Sequence, residues 1–159
     1  MTLPARRVVT GHTADGRATV AIDDMLGPSA GRDGVRVANI WTTEGFPVDN
    51  TGDQDQGKRE VGTTLAGGSV FRIVQFGPGN EQRVHRTDSV DYAVVMSGEI
   101  EMELEPGEPT VRLKAGDVLV QRGTIHNWIN RGSEPCAIAF ILIDAKPVEV
   151  GGRVLHAQG

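Results

Sequence analysis

The stretch Glu99-Ile100-Glu101-Met102-Glu103-Leu104-Glu105 alternates without a break between acidic and apolar side chains. On a helix that order would spread the apolar groups around the whole circumference. On an extended strand it puts Ile100, Met102 and Leu104 on one face and the glutamates on the other. The segment is therefore predicted to be a strand with one face in a core and a solvated glutamate row on the other. The same two-residue period returns in Val111 and Leu113, after the turn at Pro106-Gly107-Glu108-Pro109. It also runs through Val35 to Trp41. Residues 69–76, 91–97, 118–120 and 125–130 read as further short strands set off by turns. Cys136 to Ile143 is apolar throughout, which predicts a strand covered on both faces.

Helical periodicity is almost absent, and 21 glycines supply turns. The expected fold class is all-β, a sandwich or barrel. Val8-Val9 and Ala18 to Ile22 are expected as short strands around a turn at Asp15-Gly16. From Thr42 to Gly68 the chain turns polar. Its acidic centre, Asp49 to Gly57, reads as a solvated excursion, while Trp41 and Phe46 at its flank are candidates to fold over a pocket. Residues 1–68 are expected to pack on a barrel core at 69–145, with a weakly patterned tail at 146–159.

At 159 residues the chain is the length of one domain. A net charge of −5 argues against a nucleic-acid partner, and no helix-turn-helix pattern accompanies the strands. Cys136 is the single cysteine, so no internal disulfide forms, and its apolar surroundings predict a buried, inert thiol. No apolar run approaches the ~20 residues of a membrane span, nor does the start carry the apolar core of a secretion signal. The expected location is cytoplasmic, with no membrane partner.

Chemistry concentrates between Gly79 and Asn130. If the chain is extended there, His85 and Thr87 share a face, as do Asp91, Ala93 and Val95, and likewise His126 and Trp128. These parities allow the groups to converge in the mouth of a barrel. Parity alone does not bring them together. His12 and His156 stand isolated and read as surface groups. Arg86 and Arg122 read as scaffold unless the substrate is an acid.

The spacing of this stretch resembles the cupin superfamily. The first cupin motif runs Gly, five residues, His, one, His, three or four, Glu, six, Gly. Here Gly79, His85, Thr87, Asp91 and Gly98 occupy those places. In the second motif Gly116, His126 and Asn130 match, while Gln121-Arg122-Gly123 stands where a Pro-x-Gly turn is usual and the spacing is one residue short. The resemblance implies a double-stranded β-helix, that is, a jelly-roll barrel of antiparallel strands, and a homodimer paired through sheet faces or exchanged amino-terminal strands. It also implies a site that in the full pattern holds a metal on three histidines and one carboxylate.

Thr87 replaces one of those histidines, and Asp91 replaces the glutamate. Two readings of the site follow. In one, His85, Asp91 and His126 are metal ligands for a divalent Fe, Mn, Ni or Zn ion with open positions. In the other there is no metal, and the same three residues are catalytic by proton transfer, or the barrel only binds. Thr87, Trp128, Trp41, Ala93 and Val95, with Ile73 or Val74, are the expected pocket lining. That mostly apolar set suits a small cyclic or aromatic molecule. The expected function is a small-molecule lyase, isomerase or dioxygenase; the alternative is a ligand sensor or carrier.

Overall fold

The computed structural model describes residues 5–27 and 31–159. Its strands are β1 (Ala5–His12), β2 (Ala18–Leu26), β3 (Val35–Glu44), β4 (Gly68–Phe76), β5 (Ser89–Ser97), β6 (Glu99–Glu103), β7 (Val111–Lys114), β8 (Val118–Arg122), β9 (Asn127–Ile129), β10 (Cys136–Asp144), β11 (Val148–Val150) and β12 (Arg153–Leu155). One 3₁₀ turn, Gln56–Lys58, is the sole helical element among the described residues. The strand pairings are antiparallel. β3-β4-β10-β5-β8 form a five-stranded sheet, and β7-β6-β9 a three-stranded one.

The two sheets close on a single core. Val35, Val70, Val74, Phe76, Ala93, Val95, Ile138, Phe140 and Leu142 come from the larger sheet, and Ile100, Met102, Leu113 and Trp128 from the smaller. β5 shows the rule that builds the barrel. Ser89, Asp91, Ala93 and Val95 are buried, while Tyr92, Val94 and Met96 face out. The inward row is polar at one end and apolar at the other, so the strand contributes both core and cavity wall. Outward on the same sheet, Tyr92, Val94, Met96, Val118 and Val120 leave an exposed apolar strip.

Gly98, which closes the first motif, makes the turn from β5 into β6. Its φ is +76°, and a Cβ there would run into the Pro135 carbonyl and come within 2.9 Å of the Cys136 Cα. Only glycine fits both demands. Asn130 closes the second motif and is fully buried. Its Nδ2 donates to the Phe76 and Glu134 carbonyls at 2.9 and 2.8 Å, and its Oδ1 accepts from the Gly132 N–H at 2.9 Å. One side chain thus ties the end of β4 to the turn that enters β10.

Several sequence expectations are extended or corrected. β1 and β2 form a hairpin in register from Ala5↔Leu26 to His12↔Ala18, longer than the patterning suggested because β2 is exposed along much of its length. The acidic loop is not simply solvated. Asp55 pairs with the buried Arg7 guanidinium at 2.8 Å, and Arg7 also holds Asp24 at 2.7 Å and donates to the Ile40 carbonyl. The loop is thereby pinned to the hairpin. The glutamate row is likewise partly engaged, Glu101 pairing with Arg112 and Arg131, and Glu103 with Arg131. β10 is buried on both faces only at Cys136–Ala137–Ile138; beyond that its burial alternates. The carboxy-terminal residues carry a short β11–β12 hairpin, then return so that Arg86 and Gln158 exchange backbone hydrogen bonds of 2.8 and 3.0 Å.

Candidate functional site

The two motif histidines meet directly. His85 N–H donates to the His126 carbonyl at 3.0 Å, and His126 N–H to the His85 carbonyl at 2.9 Å. This isolated antiparallel bridge puts both side chains on one side, with ring centroids 4.2 Å apart and planes inclined at 55°. Both residues are buried. Each Nδ1 lies 2.9 Å from the carbonyl oxygen two residues earlier, Arg83 for His85 and Thr124 for His126. A carbonyl can only accept, so each Nδ1 carries the proton, and in the neutral ring each Nε2 is left as an acceptor.

Burial holds the rings neutral. It pushes His126 down to about 4, aided by the charge of neighbouring groups and opposed by the Thr124 carbonyl. His85 is lowered too, first by burial, with Arg83 and Arg32 adding repulsion. Unfolded chains protonate His126 near its ordinary 6.5, and the folded protein resists until about 4. Its contribution is therefore complete above 6.5 and lost as pH falls toward 4, a change of about 3 kcal/mol. Urea unfolding of wild type and His126→Gln across that window should show their stability difference shrinking as pH falls. A difference constant with pH would contradict the neutral ring.

Asp91 lies in the same cavity but not in the histidine pair. It is buried on β5 opposite Gln121 of β8 and Leu142 of β10, whereas His85 precedes β5 and is separated from it by a bend at Asp88. Ser89 Oγ donates to Asp91 Oδ1 at 2.6 Å, and Thr87 Oγ1 sits 2.8 Å from Ser89 Oγ. Burial raises the Asp91 pKa, with the Ser89 hydrogen bond opposing. The carboxyl is thus biased toward its protonated form, the reverse of the imidazoles beside it.

The cavity has a volume of about 120 Å³. His85, Thr87, Asp91, His126, Trp128 and Val74 line it. Trp41, Ala93, Val95 and Ile73 do not. Ala93 and Val95 are buried in the barrel core, and Ile73 points the other way, under the hairpin with Ala5 and Ile40. The lining surface is mostly apolar, as expected, but it carries more charge than expected. Arg32, Arg72, Arg83 and Gln121 belong to it and were not anticipated. Arg72 carried a readable signal, since it shares parity with Val70, Val74 and Phe76 and so points inward on β4. Arg32 and Arg83 lie on irregular segments, where parity gives no signal.

Two adjacent Nε2 acceptors are donors that a divalent Fe, Mn, Ni or Zn ion accepts. A third ligand is not gathered with them. Among the described residues no group of three His, Cys, Asp or Glu side chains is arranged to hold an ion. His85, Asp91 and His126 line one cavity without being grouped as one ligand sphere.

A family model for the cupin domain matches residues 72–143. Phomopsin biosynthesis cluster protein C' of Diaporthe leptostromiformis is 41% identical over 160 residues, covering 94% of this chain and 83% of that protein. The chain belongs to the cupin family. Among its relatives is a cupin-domain-containing oxidoreductase, fogC of Aspergillus ruber, 35% identical over 162 residues with 94% of this cupin and 77% of the relative covered. The cupin domain of Schizosaccharomyces pombe Cnp3 shares the fold, with a TM-score of 0.55 at 12% identity over 87% of each chain. The double-stranded β-helix expected for this cupin is the fold it has. Among its described residues no helix is long and apolar enough to cross a membrane.

Proposed function

We propose that this cupin is an enzyme that moves a proton on a compact organic substrate held in the barrel cavity. One observation carries the reading: two neutral imidazoles, locked with Nε2 as acceptor, line the same cavity as a carboxyl biased toward protonation. His126 is the base and His85 its partner. Asp91 is the acid, oriented by Ser89, whose hydroxyl leads on to Thr87. In an isomerisation, an Nε2 removes a proton from carbon and Asp91 protonates the developing oxyanion or the new carbon centre. In an elimination, Asp91 protonates the leaving group instead. Opposed pKa shifts in one cavity suit this division of roles.

Relatives described as oxidoreductases, and others named for biosynthesis clusters, support a small-molecule substrate. They also support a second reading, in which proton removal is one half of an oxidation and an external acceptor takes the electrons. The product separates the two: unchanged oxidation level for isomerase or lyase, loss of an electron pair for oxidoreductase.

The test is turnover of a small-molecule panel by wild type and Asp91→Asn. Asparagine keeps the shape and an acceptor for Ser89 but has no acidic proton. Turnover should fall by roughly a hundredfold. Equal turnover would remove Asp91 from the chemistry.

A further inference from the structure

The geometry points to a carboxylate-bearing substrate, its anion held by Arg32, Arg72 and Arg83 in the same cavity as the histidine pair. This inference rests on the reading of that cavity as the substrate site. The three guanidinium groups come from separate parts of the chain: Arg32 just before β3, Arg72 inside β4, and Arg83 two residues before His85. None forms an ion pair with a carboxylate side chain among the described residues, although Arg6, Arg7, Arg17, Arg59, Arg112 and Arg131 all do. In a protein of net charge −5, where acids outnumber bases, three such cations around one cavity are not a by-product of composition.

The cations are also held at a cost. Arg32 and Arg72 are both pushed down by burial, and Arg83 repels Arg32, with Glu81 the nearby acid that offsets it. The Nε of Arg32 and of Arg72 is buried with no hydrogen-bond partner. Arg72 otherwise donates to the Gly62 carbonyl, and Arg83 to Thr63 Oγ1 and the Gly159 backbone oxygen. Half-buried cations with few counter-charges carry a desolvation cost, and an anionic ligand relieves it.

A second observation is independent of the arginines. Gln121 lines the cavity, is only 3% exposed, and has neither amide atom hydrogen-bonded. A buried primary amide left open at both ends is a ready donor and acceptor for a substrate hydroxyl or carbonyl. Among the described residues Asp91 is the lone carboxyl in the lining, and burial raises its pKa, which weakens its opposition to an anion. Guanidinium groups match the planar, two-oxygen edge of a carboxylate. The cavity, at about 120 Å³, is small beside the roughly 300–1,000 Å³ of drug-sized pockets, which selects a compact acid.

An anion here would also change the base. Arg83 and Arg32 repel an imidazolium at His85, and Arg83 repels one at His126. A bound carboxylate screens that repulsion, so the substrate raises the basicity of the groups that act on it.

Binding tests the inference without needing turnover. Thermal shift and calorimetry would use small mono- and dicarboxylates, from acetate to benzoate and succinate, beside benzamide, succinamide and inorganic phosphate. Acids should bind, more weakly at high salt, with the paired amides roughly tenfold weaker or more. Arg32→Gln and Arg83→Gln should each weaken acid binding by a similar factor, while Arg122→Gln, outside this cavity, should not. Arg72→Gln is deeper in the barrel and is interpreted only if its unfolding temperature matches wild type. Amides binding as tightly as acids, no acid binding at all, or phosphate alone binding would each overturn the inference. Acid binding without turnover would sink the proton-transfer reading and leave the anion site standing; turnover of neutral substrates with acids ignored would do the reverse.

Discussion

Replacing His126 by glutamine should lower turnover by roughly two to four orders of magnitude, the usual range for removing a positioned general base. Glutamine fills similar space and can still donate to the Thr124 carbonyl, so the loss reports chemistry rather than collapse. The expected effect exceeds that of Asp91→Asn, because Ser89, Thr87 or solvent can still deliver a proton when the acid is lost. His85, a second neutral acceptor, stands beside His126, 4.2 Å away between ring centroids. His85→Gln should therefore cost less than His126→Gln if His85 is only the partner. Unchanged turnover in His126→Gln, with the fold intact, would remove proton abstraction by this residue from the account.

Asn130→Ala should destabilise the fold by about 3 kcal/mol. The Phe76 and Glu134 carbonyls and the Gly132 N–H all lose their side-chain partner at once. Asn80 keeps its bond from the Asn130 backbone N–H at 2.9 Å, so the loss stays on the side chain. For a chain of this size the unfolding midpoint should drop by roughly 6–12 °C. The Asn130→Asp variant should fare little better, since a carboxylate cannot donate to two carbonyls. A variant as stable as wild type would mean that this network is redundant.

The fold was readable because its signal is local. Period-two alternation in residues 35–41 and 99–105 predicted strands, turn-bounded runs at 69–76 and 91–97 predicted others, and the cupin resemblance implied how they close. The partners of polar side chains were not readable. Nothing in Arg6-Arg7 or in the acidic loop announces that Arg7 would be buried between Asp24 and Asp55, because the pairing depends on how the hairpin docks. The candidate site divides in the same way. His85 and His126 were found by spacing, and their convergence follows from a backbone bridge that no parity argument supplies. Thr87, Asp91 and Trp128 do lie in the cavity wall; Trp41, Ala93 and Val95 do not. For Ala93 and Val95 the face was right and the depth wrong, since one inward row serves first the cavity and then the core. Arg32 and Arg83 escaped notice because they lie on irregular segments, where parity carries no direction.

The central claim is that His85 and His126 are neutral at working pH with Nδ1 protonated and Nε2 open. Nitrogen-15 NMR of the histidine rings reads this directly, through the shifts of both ring nitrogens followed as a function of pH. A protonated Nδ1 and an unprotonated Nε2 are expected in both residues at neutral pH, with His126 titrating near 4. Protonated Nε2 atoms at neutral pH, or an ordinary titration of His126 near 6.5, would contradict it.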